Sequence, residues 1–125
     1  TPVISSAASD VYKRQKYVSV IKGKILDVAV DIRKKSKTFG KKFEIVLSDK
    51  NNKSVYIPPG FAHGFMCLGK ENIINYSCTN YRSVGYEYSL LYNDKKLKIN
   101  WPFKKVIITK KDKTAKTFNE LLDKF

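Results

Sequence analysis

Ile25-Leu26-Asp27-Val28-Ala29-Val30-Asp31-Ile32 reads as a β-strand. Leu26, Val28, Val30 and Ile32 fall on one side of a period of two, and Ile25, Asp27, Ala29 and Asp31 on the other. Strand side chains point alternately to opposite faces, so this pattern predicts a half-buried strand; a helix would need apolar positions three and four apart. Phe43, Ile45 and Leu47 alternate with Glu44, Val46 and Ser48 in the same way.

Working outward, β-branched and aromatic segments recur at 54–57, 64–68, 73–79, 86–92 and 106–109. Turn residues separate them: Lys22-Gly23, Ser36 to Gly40, Asp49 to Asn52, Pro58-Pro59-Gly60, Gly69 and Asn93-Asp94. Many short strands at intervals of roughly ten residues predict an all-β sandwich or barrel. The tail carries the one helix signal, with Thr117 and Glu120 at capping-box spacing ahead of Leu121 and Leu122. Residues 1–15, TPVISSAASDVYKRQ, stand apart: small and polar, without sustained periodicity.

The chain has 125 residues, enough for one domain. Hydrophobic residues make up 42% and charged residues 29%, a folded rather than a disordered composition. No apolar run approaches the roughly 20 residues that span a bilayer, and nothing reads as a signal peptide, so a cytoplasmic protein is expected. Cys67 and Cys78 match no zinc or CxxC redox spacing and read as small buried thiols. A single histidine, His63, argues against a multi-histidine metal site. The formal charge of +14 attracts anions such as nucleotides, nucleic acids or anionic lipids, although surface lysines mostly just solvate.

The densest chemistry lies in Ile57-Pro58-Pro59-Gly60-Phe61-Ala62-His63-Gly64-Phe65. Two prolines remove two amide donors, so 58–60 is expected to be a rigid corner and not a central strand. Held between that corner and a strand, His63 has two readings. It can serve as a general acid, base or hydrogen-bond donor, or it is a structural histidine bonded to a backbone carbonyl. Tyr76, in another alternating run, is either a core or rim aromatic or a proton donor sharing a pocket wall with His63. Lysines 104, 105, 110, 111, 113 and 116 surround the 106–109 segment, as a phosphate site or as the lysine guard of an edge strand.

Read together, Asp27 to Arg33 (DVAVDIR), Ser36 with Thr38-Phe39-Gly40, IPPGFAHGF at 57–65, YSCTNY at 76–81, LKINWP at 97–102 and TKKD at 109–112 closely resemble the dTDP-4-dehydrorhamnose 3,5-epimerase family, in the same order. The resemblance implies a cupin-like jelly-roll, usually a homodimer, acting without metal or organic cofactor on a nucleotide-linked 4-keto-6-deoxy sugar. The ketone acidifies the protons at C3 and C5. A base removes one, the enolate is stabilised, and an acid returns a proton to the opposite face.

By the same resemblance Tyr76 stands at the proton donor and His63 at a substrate-binding histidine. Lys16 matches a lysine at the sugar and its developing oxyanion. Glu87 and Lys111 match further substrate contacts, and Asp112 matches the aspartate that orients the catalytic base. Arg82 stands where the family usually stacks a tyrosine on the thymine ring; an arginine plane can stack there too.

The resemblance fails at the start. The family's catalytic base is a histidine in an Arg-Gly-Leu-His motif ten residues before the lysine matched by Lys16, where this chain has Ser6, with Val3 at the arginine position. The expectation is therefore a non-family leader at 1–15 joined to an incomplete jelly-roll at 16–125, with its first strands missing and the catalytic base absent. Two other readings stay open: a non-catalytic sugar-nucleotide-binding cupin, and a basic nucleic-acid-binding β domain, for which no RNP-like, zinc-finger or helix-turn-helix pattern is present.

Overall fold

The computed structural model of the chain describes residues 3–9, 15–79, 87–88, 90–103, 105–108 and 110–122, with 3–9, 87–88 and 111–112 described by their backbone alone. The strands are β1 (Val3–Ser9), β2 (Lys16–Lys22), β3 (Lys24–Asp31), β4 (Lys42–Ser48), β5 (Ser54–Ile57), β6 (Phe61–Cys67), β7 (Ile73–Cys78), β8 (Glu87–Tyr88) and β9 (Ile107–Ile108). Two short helices follow, α1 (Lys110–Lys113) and α2 (Phe118–Leu122).

The strands form two facing sheets, a jelly-roll sandwich. The larger runs β4-β3-β6-β1-β8, with β9 parallel to β1; the smaller runs β5-β2-β7. Val18 of β2, Ile25 and Ala29 of β3, Leu47 of β4 and Val55 and Ile57 of β5 pack together between the sheets. The outer face of the larger sheet is covered as well. Leu26, Val28, Val30, Ile32 and Ala62 lie beneath Leu90, Leu97, Phe118 and Leu121 from the C-terminal segment. Each fully buried Val, Leu, Ile or Phe among them contributes about 1.5–3 kcal/mol.

This double cover corrects the half-buried reading of β3. Every residue from Ile25 to Asp31 is buried, and the alternation separates two cores instead of core from solvent. A second difference concerns the first fifteen residues. Despite their composition, Val3–Ser9 form a strand antiparallel to β6, with Ala7 opposite His63 and Ser6 opposite Gly64. Backbone pairing with a well-anchored neighbour is available to any residue with a free N–H and C=O, whatever its side chain.

Other boundaries moved less. β6 begins at Phe61, three residues before the expected start, because it pairs along its whole length with β3. Of the expected 86–92 strand, Glu87–Tyr88 pair with β1 and Leu90 makes an isolated bridge to Lys116; residues 86 and 89 lie outside the described residues. Cys67 and Cys78 are free thiols and half-buried, not buried. α1 had no sequence signal of its own.

The corner at 58–60 is as expected, with Gly60 at φ +91°. It is held by a polar clamp. The buried Asp31 carboxylate accepts Arg33 Nε at 2.9 Å, Arg33 Nη2 at 3.0 Å and Ser36 Oγ at 2.6 Å, together with the Thr38 hydroxyl. Ile32 N–H donates to Gly60 O at 3.0 Å, and the Arg33 guanidinium lies 4.9 Å above the Phe61 ring. The turn after β3 thus fixes the point from which β6 departs.

The tail helix forms as its spacing predicts. Thr117 N–H donates to Glu120 Oε2 at 2.7 Å and Glu120 N–H to Thr117 Oγ1 at 3.3 Å, a reciprocal capping box. Phe118 N–H is taken by the buried Asp94 at 2.7 Å, which ties the helix to the 94–98 turn.

Candidate active site

His63 sits in the middle of β6, in register with Ala29 of β3. Ala29 belongs to the inter-sheet core, whereas the neighbouring Ala62 belongs to the outer core, so the imidazole points between the sheets. The nucleus of the site is the pair it makes there: His63 Nε2 lies 2.6 Å from Asp27 Oδ1. Both side chains are withdrawn from solvent, at 5% and 1% exposure. A buried carboxylate is costly unless paired, so each group holds the other in place.

Tyr76 approaches from the opposite sheet. Its β7 position pairs with Val18 of β2, whose side chain is wholly buried between the sheets. The phenol ring stacks on the imidazole, 6.0 Å between centroids and 16° between planes. Phe65, two residues along β6, tilts against the imidazole at 6.2 Å. His63 is buried while Tyr76 is 43% exposed, which places the phenol at the mouth of the gap and the imidazole behind it.

Lys16 opens β2, in register with Ile57 on one side and Cys78 on the other. Two residues from Val18, it shares the interior face and is buried. A buried lysine on that wall supplies a donor-only group to the same space as His63 and Tyr76. Burial pushes the Cys67 thiol up, away from thiolate chemistry.

The remaining sequence candidates are placed by backbone only. Glu87 lies on β8, in register with Ser9 of β1. Lys111 and Asp112 lie on α1, the single helical turn after β9, packed near β1. Arg82 lies outside the described residues. The structure therefore brings together His63, Tyr76 and the Lys16 wall. Sequence reasoning gave no role to Asp27, whose signal was a carboxylate on the same strand face as Ile25 and Ala29. Nor did it foresee that His63 would pair with a carboxylate; the structural alternative had been a backbone carbonyl.

A small apolar recess lies on the other face of the larger sheet, lined by Val30, Ala62, Leu90, Tyr92, Ile99 and Trp101. It belongs to the seam between the sheet and the C-terminal segment, and His63 and Gly64 of β6 also border it.

A facing pair of sheets with an imidazole, its carboxylate, a phenol and a lysine turned inward defines a cupin-like protein. The sequence model of the family described as dTDP-4-dehydrorhamnose 3,5-epimerase matches residues 7–120, and the chain belongs to that family. It is 44% identical over 108 residues to the dTDP-4-dehydrorhamnose 3,5-epimerase of Methanothermobacter thermautotrophicus, covering 84% of this chain and 58% of that protein.

Among solved structures, the Elizabethkingia anophelis dTDP-4-dehydrorhamnose 3,5-epimerase superposes with a TM-score of 0.84 at 34% identity, over 96% of this chain and 72% of that one. The Legionella pneumophila dTDP-6-deoxy-D-glucose-3,5-epimerase, solved in complex with dTDP-4-keto-L-rhamnose, gives 0.82 at 38% identity, over 95% and 69%. The chain spans 58% and 59% of the length of two of the curated relatives it matches.

Proposed function

We propose that the gap between the sheets receives a dTDP-linked 4-keto-6-deoxy sugar, and that the whole protein epimerises it at C3 and C5, converting dTDP-4-dehydro-6-deoxyglucose to dTDP-4-dehydrorhamnose for deoxysugar and cell-surface polysaccharide synthesis. The stacking of Tyr76 on a carboxylate-bound His63 carries this reading, within a chain that belongs to the epimerase family. Tyr76 is the proton donor and His63 a sugar contact. Lys16 stabilises the enolate oxygen, where a fixed ammonium in a low-dielectric site has its largest effect. Lys111, Glu87 and Arg82 serve the nucleotide and sugar, and Asp112 orients the base. The active protein is a cytoplasmic homodimer and uses no cofactor.

Residues 1–15 do not supply the base, because the serine at position 6 is a very poor proton acceptor near neutral pH. The chain as it stands thus binds the sugar nucleotide and exchanges slowly or not at all. Solvent deuterium incorporation tests both parts. Replacing residues 1–15 with a relative's Arg-Gly-Leu-His segment is expected to raise exchange at C3 and C5 by about 10²–10⁴-fold. Full-rate exchange in the unaltered chain would remove the assignment of a missing base. Failure of both proteins to bind the sugar nucleotide would remove the epimerase reading.

A further inference from the structure

We propose that the segment following the 94–98 turn forms a docking face for an anionic lipid bilayer. Phe103 and Ile107 enter the headgroup boundary, and the exposed lysines around them hold lipid phosphates.

The charge of the chain is not spread evenly. Residues 95–119 contain nine lysines and one aspartate, a net charge of +8 out of +14 for the whole chain. Lys98, Lys105, Lys110, Lys113 and Lys116 are exposed. Among the described residues none of these five makes an ion pair. Of the nine, the sugar chemistry proposed above uses only Lys111.

Apolar side chains stand in water among these lysines. Phe103 is 48% exposed and Ile107 56%. Their neighbours turn the other way: Trp101 and Val106 are half-buried and Ile108 is buried, all three packed with Met66 of β6. Trp101 Nε1–H donates to Tyr92 O at 2.7 Å, and β9 pairs with β1, so the segment is held at both ends. Phe103, Lys105 and Ile107 are thus presented outward from a fixed support. An aromatic and a branched aliphatic side chain amid unpaired cations match an acyl boundary lined with phosphates.

The same chemistry disfavours other occupants. A nucleic acid rewards flat rings that stack on its bases, and Ile107 has none to offer. A second copy of this chain would bring like charges together. An anionic bilayer supplies an apolar layer for Phe103 and Ile107 and a negative surface for the lysines. By contrast Ile21 and Ile73, also exposed, adjoin the Lys22–Glu71 ion pair, where the charges cancel.

Cosedimentation with vesicles at physiological ionic strength tests the face without reference to activity. The chain is expected to bind vesicles of phosphatidylcholine mixed with phosphatidylglycerol, not vesicles of phosphatidylcholine alone, and to dissociate as salt is raised. Phe103→Ser with Ile107→Thr leaves the charge unchanged and is expected to weaken binding by about 10–100-fold. Lys105→Gln, Lys110→Gln and Lys113→Gln together are expected to weaken it by about 100-fold. The same change of charge at Lys34, Lys35 and Lys37, exposed in the turn after β3, is expected to do much less.

No binding to the mixed vesicles would overturn the proposal. So would binding that survives the loss of Phe103 and Ile107, or equal effects of the two lysine sets, since net charge alone would then be acting. Two further results would reassign the face and so overturn the bilayer as its occupant. A lower mass of the lipid-free Phe103–Ile107 variant in sedimentation velocity would make it an interface between copies of the chain. An equal loss of affinity for a single-stranded oligonucleotide would make it a nucleic-acid surface. Should the Phe103–Ile107 variant fail to fold, the two lysine sets, all at exposed positions, decide.

Discussion

The ring of Tyr76 lies parallel to the imidazole of His63, 6.0 Å away, although the two residues sit on different sheets. β6 and β7 are consecutive in the chain but do not pair; the connection through Gly69 to Asn72 carries the backbone from one sheet to the other. Asn72 secures that crossing by accepting Lys24 N–H and donating to Gly69 O, at 3.0 and 2.9 Å. The site is thus closed by side chains across a gap and not by neighbouring strands.

Removing only the phenol hydroxyl separates the ring's packing from its chemistry. Tyr76→Phe, in the protein carrying a relative's N-terminal segment, is expected to lower deuterium incorporation by about 10²–10⁴-fold, the range for loss of a general acid. Affinity for the sugar nucleotide should change little, since the stacked ring remains. Equal losses of affinity and exchange rate would make Tyr76 a binding residue.

Asp31 provides an acid-sensitive element. Burial alone would raise its carboxyl, but the hydrogen bonds from the Arg33 guanidinium, Ser36, Thr38 and the Arg33 N–H outweigh it and hold the group well below the usual carboxylate range. A depressed folded-state value means the contribution is fully present above the ordinary value of 3.8 and is lost as pH falls below it. Melts taken through the acid range should show that loss. Asp31→Asn should lower stability at neutral pH and should flatten the acid limb.

Gly60 and Gly40 make a matched test of the clamp. Both have positive φ, +91° and +78°. A Cβ on Gly60 would stand 2.4 Å from Arg33 Cγ, whereas one on Gly40 would meet Phe118 at an ordinary 3.6 Å. Gly40→Ala should cost about 1–2 kcal/mol for the backbone alone. Gly60→Ala should cost more, because Arg33 must also leave Asp31. Equal losses in denaturant titrations would mean that Arg33 yields freely.

The C-terminal helix depends on two caps. Thr117→Ala should cost about 1 kcal/mol. Asp94→Ala should cost about 2 kcal/mol, because it orphans the Phe118 N–H beneath the outer core. Urea unfolding would separate the two, and an Asp94 variant as stable as the parent would dismiss the tie between turn and helix.

Much of this protein was legible before any coordinates. The alternation in Ile25 to Ile32, the proline corner at 58–60 and the Thr117–Glu120 spacing are local signals, and each produced the expected element. The composition of Val3 to Ser9 said nothing of β1, because that strand is templated by the exposed edge of β6. The partnership of Asp27 with His63, and of His63 with Tyr76, was equally out of reach. A period of two tells which residues share a face of one strand. It does not tell which strand lies alongside, or which sheet lies opposite. Those choices were made when both faces of β3 and β6 were buried at once. That double burial turned a carboxylate, an imidazole and a phenol, separated along the chain, into neighbours.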